Sequence, residues 1–123
     1  MRILVVDDEE FLRSVLSRRL KAVGHAVDVA ASGWAALALQ ELAPYDAVIT
    51  DFQMPEMTGV ELFERLVASD ASNAGRVIFM SGDPGGSGMA AFADLVGRPC
   101  VPKLTLFSNL DAALSTITAA PPA

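Results

Sequence analysis

The chain has 123 residues, of which 52% are hydrophobic and 20% charged, so it can bury one substantial core but is too short for two domains. Its formal charge of -6 argues against direct nucleic-acid binding, which needs clustered Lys and Arg, and its single cysteine excludes an internal disulfide or a cysteine-based metal site. No apolar run reaches the roughly 18–20 residues that would cross a membrane, so no membrane insertion is expected.

Five short apolar runs predict five β-strands, and their Val and Ile content is typical of strands buried on both faces. The runs cover residues 3–6, 26–29, 47–50, 77–80 and 100–101. The first run ends in acidic residues and not in a small-residue cleavage site, so we expect no signal peptide and a cytoplasmic location.

Between these runs, apolar residues at helical spacing predict five helices. The helical patterns cover residues 11–23, 35–42, 60–67, 89–96 and 110–117. We expect Phe11 and Val23 to belong to the apolar face of the first helix, and Gly24 to end it. Ser32 and Ser108 are predicted to cap the second and fifth helices.

This alternation predicts an α/β domain in which helices cover both faces of a parallel sheet. Right-handed crossovers place the carboxyl ends of all strands at one edge, where ligands bind in sheets of this kind. We expect the domain to span residues 1–118, and residues 119–123 to form a disordered tail or a linker stub.

Polar residues follow four of the five predicted strands: Asp7 and Asp8, Asp51, Ser81, and Lys103. The predicted fold therefore gathers them at one edge. Each has an ordinary structural interpretation alone, since Asp and Ser are common in caps and turns and Lys is common on surfaces. Their co-location favours a functional site.

Such a group of residues could carry phosphoryl chemistry. Crowded carboxylates stay ionised most easily beside a cation, and oxygen ligands suit a hard ion such as Mg²⁺. A carboxylate can also attack phosphorus and form an aspartyl-phosphate. An ammonium and a hydroxyl nearby could stabilise the transferring oxygens.

Four segments resemble the motifs of the response regulator receiver domain, the family of the chemotaxis regulator. They are residues 3–9 (ILVVDDE), 51–55 (DFQMP) with Thr58-Gly59, 80–82 (MSG) and 102–103 (PK). No single segment is specific, but the set is, and the resemblance extends from residue 1 to about 118. It implies a doubly wound, flavodoxin-like fold with strand order 2-1-3-4-5.

The resemblance implies a metal-dependent phosphoacceptor. Asp51 would take the phosphoryl group. Asp8 and Asp51 would bind Mg²⁺ through their side chains, Gln53 through its backbone carbonyl, and Asp7 through a water molecule. The chain would catalyse only its own phosphorylation and dephosphorylation.

The resemblance also implies how the phosphoryl group is held and used. Lys103 would pair with its oxygens, Ser81 would donate a hydrogen bond to it, and Gly82 would leave the approach open. The donor would be a sensor histidine kinase or a histidine phosphotransfer protein. Phosphorylation would reshape the face formed by the fourth helix, fifth strand and fifth helix, and a downstream protein would bind that face. The resemblance also allows a dimer that forms on phosphorylation.

Three features depart from the family pattern. Leu104 follows the lysine where proline is usual, so we expect a trans or rearranged loop, because a cis bond before a non-proline residue costs about 2.5–4 kcal/mol. Cys100 stands where an aromatic residue is common, with Phe107 as one substitute. The glycine-rich loop 82–88 is expected to be mobile.

Two other functions remain open. A phosphatase of the haloacid dehalogenase type also uses an aspartate nucleophile with Mg²⁺, but its Asp-x-Asp motif does not match the acidic run at 7–10. A receiver-shaped interaction module without phosphorylation is the other alternative, and Leu104 is its best support.

Overall fold

The computed structural model of the chain describes residues 1–81, 89–103 and 106–117. Strands β1 to β5 cover Arg2–Val6, Ala26–Ala30, Ala47–Asp51, Val77–Ser81 and Cys100–Pro102. Helices α1 to α5 cover Glu10–Ala22, Gly33–Leu42, Gly59–Ser69, Met89–Leu95 and Leu106–Ser115, and a 3₁₀ turn at Ala71–Gly75 precedes β4. The predicted alternation of strands and helices is confirmed.

The strands form one parallel sheet in the order β2-β1-β3-β4-β5, which confirms the predicted fold class. Alternate residues of β1 point to opposite faces, as the pleat of a strand requires. Ile3 and Val5 pack with buried residues of α1 and α5, whereas Leu4 and Val6 pack with those of α2, α3 and α4. The sheet is therefore covered on both sides.

The helix ends agree with the sequence in two places and differ in one. Ser32 caps α2, because its Oγ accepts a hydrogen bond from the Ala35 N–H at 3.1 Å. Gly24 follows α1 with a φ of 99°, a conformation that glycine adopts without strain. The prediction that Ser108 caps α5 is wrong, since that helix already begins at Leu106, and leucine is a strong helix former.

The prediction for the apolar face of α1 is also partly wrong. Leu16 and Leu20 are buried, but Phe11 is 80% exposed and Val23 is 63% exposed. The buried face of α1 therefore includes fewer residues than the apolar pattern predicted, because Phe11 points away from the sheet.

Several predictions fall outside the described residues. These are the role of Gly82, the mobility of residues 82–88, the backbone at Leu104, the side chain of Phe107 and the tail at 119–123. Among the helices that the structure describes, none is long and apolar enough to cross a membrane.

Candidate functional site

The register of the sheet brings the predicted polar residues to one edge. Val6 is paired with Thr50, so the residues that follow them, Asp7 and Asp51, are neighbours. On the other side of β3, Asp51 is paired with Met80. The pairing of Ser81 with Pro102 then places Lys103 just beyond the same edge. Parallel strands thus bring together residues that are distant along the chain.

Asp7 is fully buried and is held at the end of β1 by its own backbone. Its N–H donates to the Ala30 carbonyl at 3.1 Å, and its carbonyl accepts from Arg13 Nη1 at 2.6 Å. Its carboxylate Oδ1 accepts from the Glu9 N–H at 2.7 Å, which closes the turn into α1. The neighbouring Asp8 is exposed, so one carboxylate of this pair faces solvent.

Asp51 is the last residue of β3 and is 5% exposed. Its Oδ1 accepts from the Gln53 N–H at 3.3 Å. The loop after it folds back so closely that the Gly59 N–H donates to the Phe52 carbonyl at 2.8 Å, and a Cβ at Gly59 would lie 2.3 Å from the Asp51 carbonyl oxygen. Only glycine allows this approach of two backbone segments.

Lys103 enters the site from the end of β5 and contacts three carboxylates. Its Nζ lies 2.9 Å from Asp51 Oδ2, 3.0 Å from Asp7 Oδ2 and 3.2 Å from Glu9 Oε1. The contacts with Asp51 and Glu9 are hydrogen bonds. The contact with Asp7 is close but poorly aligned, so it is an ion pair without a good hydrogen bond.

Burial and charge act in opposite directions on the pKa values of this group. Burial favours the neutral form of Asp7 and raises the pKa of its carboxyl, and the contacts with the Glu9 N–H and Lys103 offset only part of this effect. For Lys103, burial lowers the pKa, but the contacts with Asp51 and Asp7 outweigh it and raise the pKa above its ordinary value. The lysine is therefore firmly protonated.

The carboxylates of Asp7, Asp8 and Asp51 fit a divalent cation. One oxygen from each lies within 4.8 Å of the others. The single ammonium of Lys103, which Glu9 also contacts, cannot compensate all three of these negative charges, and a divalent ion would balance the excess. Oxygen ligands of this type suit Mg²⁺ better than a softer metal.

Three further residues that the sequence singled out lie on β4, on β5 and in the loop after β3. Ser81 is buried at the end of β4, and Gln53 is placed through its N–H. Cys100 is half-buried opposite Phe79. Sequence reasoning missed the contact of Glu9 with Lys103, because no local pattern distinguishes Glu9 from the neighbouring Glu10.

Comparison with known proteins decides the family. The sequence pattern of the response regulator receiver domain matches residues 3–115. The chain belongs to the response regulator receiver domain family. It is thus a receiver domain of two-component signalling systems, as the resemblance predicted.

Relatives of this receiver domain include regulators and sensor proteins. The sensory/regulatory protein RpfC of Xanthomonas campestris is 34% identical over 130 residues, covering 100% of this chain and 18% of RpfC. The transcriptional regulatory protein TcrA of Mycobacterium tuberculosis is 42% identical over 66 residues, covering 54% of this chain and 26% of TcrA. The receiver domain therefore spans about a quarter or less of these curated relatives.

Solved structures give the same fold. The response regulator protein TrrA of Thermotoga maritima, solved in complex with Mg²⁺ and a beryllium fluoride group, has a TM-score of 0.81 and 27% identity. The match covers 94% of this chain and 97% of TrrA.

Proposed function

We propose that the receiver domain accepts a phosphoryl group on Asp51. An Asp51 carboxylate oxygen forms a bond to the donor's phosphorus while the bond from phosphorus to the leaving group breaks, and the leaving group departs with that electron pair. The observation that carries this proposal is the 2.9 Å contact between Lys103 Nζ and Asp51 Oδ2. This contact supports the proposal because a positive charge beside Asp51 would stabilise the transferring oxygens.

The domain's own residues supply most of what the reaction needs. Asp51 is buried beside a protonated lysine, which limits competing contacts with water. Lys103 would hold the phosphoryl oxygens, and Ser81, at the adjacent strand end, would donate a hydrogen bond to them. Positioning and charge neutralisation of this kind account for most phosphoryl-transfer catalysis.

Mg²⁺ is the cofactor that we assign to the carboxylates. Asp8 and Asp51 would bind it through their side chains, Gln53 through its carbonyl and Asp7 through a water. When bound, Mg²⁺ supplies positive charge for the phosphoryl oxygens. Support comes from the carboxylate oxygens within 4.8 Å of one another and from the Mg²⁺ in the structure of TrrA.

The phosphodonor would be a phosphohistidine on a sensor kinase or on a histidine phosphotransfer protein, because the relatives are regulators and sensors of two-component systems. The phosphorylated domain would bind a downstream protein. We place the domain at residues 1–118, close to the matched range 3–115, and in the cytoplasm, where it would meet its phosphodonor.

Phosphorylation can be tested with acetyl phosphate and intact-protein mass spectrometry. With Mg²⁺, wild type should gain the mass of one phosphoryl group, and it should gain none when Mg²⁺ is chelated. Asp51→Asn should remain unmodified. Asp94→Asn, an exposed Asp on α4 with the same change of charge, should behave as wild type.

Reactions with small phosphate compounds also distinguish the receiver function from a phosphatase and from an interaction module. Continuous release of phosphate from added phosphoesters would indicate a phosphatase. Wild type that gains no mass with Mg²⁺ and acetyl phosphate would contradict the proposal and favour an interaction module without phosphorylation.

A further inference from the structure

Glu9 makes a contact that the phosphoacceptor chemistry does not require. An ammonium has three N–H donors, and the Nζ of Lys103 lies within 3.2 Å of the carboxylates of Asp51, Asp7 and Glu9. Among the described residues, Nζ donates hydrogen bonds to Asp51 and Glu9 and forms an ion pair with Asp7. A phosphoryl group that pairs with Lys103 would therefore compete with these carboxylates for the ammonium.

The three carboxylates differ in how easily they can leave. The side chains of Asp7 and Asp51 are 0% and 8% exposed, and both sit at strand ends that the sheet holds in place. The side chain of Glu9 is 63% exposed and is joined to the turn before α1 by a flexible chain. An exposed ion pair contributes little to stability, so Glu9 is the partner that can release Lys103.

Glu9 also lies where it disfavours an incoming anion. A phosphoryl group carries a charge of about -1.5 to -2, and Glu9 adds a negative charge next to the cation that must receive it. Its backbone is fixed there by the hydrogen bond from its N–H to Asp7 Oδ1 at 2.7 Å. The turn that orients Asp7 therefore presents a competing carboxylate to Lys103.

We propose that Glu9 competes with the phosphoryl group for Lys103 and thereby slows the phosphorylation of Asp51. It is a positioning residue that acts through the lysine and does not touch the reacting atoms. This inference rests on the proposed function, because it concerns the rate of that same reaction.

Glu10 provides a matched control. It is the next residue, it is exposed, and among the described residues it makes no ion pair with Lys103. Glu9→Gln and Glu10→Gln remove the same charge at almost the same place. A difference between the two variants therefore reports the contact with Lys103 and not the net charge of the chain.

The initial rate of phosphorylation by acetyl phosphate with Mg²⁺ is the first readout. Glu9→Gln should be faster than wild type by about two- to fivefold, the range expected from the loss of one exposed ion pair. Glu10→Gln should remain close to the wild-type rate. An equal rate in all three proteins, or a slower Glu9→Gln, would overturn the inference.

A second readout follows the lysine directly. The chain has only two lysines, Lys21 and Lys103, so their ¹⁵N-labelled ammonium signals can be assigned by NMR. Glu9→Gln should shift the signal of Lys103 and leave that of Lys21 in place, whereas Glu10→Gln should shift neither. A Lys103 signal that does not respond to Glu9→Gln would contradict the contact itself.

The two proposals fail in different ways. If wild type takes no phosphoryl group, the proposed function is wrong. If wild type is phosphorylated but Glu9→Gln matches Glu10→Gln, only the competition for Lys103 is wrong.

Discussion

The ring of Phe52, the residue directly after Asp51, stacks on the ring of Phe79 with 4.6 Å between the centroids and 12° between the planes. Phe79 also contacts the rings of Phe63 and Phe92, at 5.7 Å and 5.9 Å. Asp51, the proposed phosphoacceptor, is thus followed by a residue that is anchored in a cluster of four aromatic rings drawn from the sheet, the β3–α3 loop, α3 and α4. Stacked and edge-to-face pairs of this kind add to the stability from burial.

Phe79→Ala should lower the free energy of unfolding by about 3–5 kcal/mol, because Phe79 is fully buried and its removal leaves a cavity beneath Phe52. Chemical denaturation measures this change. Phe11→Ala removes an equally large ring that is 80% exposed and should change the free energy by no more than about 0.5 kcal/mol. Similar losses of unfolding free energy in both variants would show that the buried aromatic cluster stabilises the fold no more than an exposed ring does.

Gly59→Ala should disturb the loop that follows Asp51. The new Cβ would lie 2.3 Å from the Asp51 carbonyl oxygen and 3.0 Å from Phe52 Cα, and neither backbone atom can move without shifting Asp51. We expect a loss of stability of about 1–3 kcal/mol, typical of overpacking, together with slower phosphorylation of Asp51. In Gly33→Ala the new Cβ meets the side chain of Met57, which can shift, so phosphorylation should be retained. Wild-type rates in Gly59→Ala would contradict this expectation.

Glu56→Gly should stabilise the domain. Glu56 has a φ of 70°, a left-handed conformation that costs an L-residue about 1–2 kcal/mol. Glycine removes that strain but loses more backbone entropy on folding, so we expect a net gain of about 0.5 kcal/mol in the free energy of unfolding. Glu56→Ala, which keeps the Cβ, should show no gain. If Glu56→Gly is less stable than wild type, the backbone at Glu56 does not destabilise the fold as we expect.

Tyr45 should ionise only at an unusually high pH. Burial, the hydrogen bond from its hydroxyl to Asp28 Oδ2 at 2.6 Å and the charge of Asp28 together raise its pKa to about 12. Because the folded pKa lies above the unfolded value near 10, the stabilisation is complete below pH 10 and is lost as the pH rises towards 12.

Ultraviolet absorbance can follow this titration without ambiguity, because Tyr45 is the only tyrosine. At pH 11 the folded protein should be only about 10% ionised, against about 90% for an ordinary tyrosine or for the chain in guanidinium. Asp28→Asn should lower the pKa of Tyr45, whereas Asp46→Asn, a nearby exposed carboxylate, should leave it unchanged. An ordinary titration near pH 10 in the folded wild type would contradict the hydrogen bond between Tyr45 and Asp28.

Local patterns were sufficient to predict the elements and the edge at which the site lies. Runs such as 3–6 and 47–50 have the length and β-branched content of buried strands, and the carboxyl ends of parallel strands share one edge in every such sheet. The strand order came from the family resemblance. Helix ends were less certain, as Ser108 illustrates, because cap residues also occur inside helices.

Which groups actually touch was decided only by the tertiary structure. Lys103 meets Asp51 and Glu9 across separations of 52 and 94 residues, and no local pattern distinguishes Glu9 from the equally acidic Glu10. Likewise, Phe11 and Phe79 are both aromatic residues within apolar patterns, yet one is exposed and the other is buried among three further rings. The physical reason is that periodicity specifies the direction of a side chain only relative to its own helix or strand, whereas contacts depend on how separate elements are placed against one another.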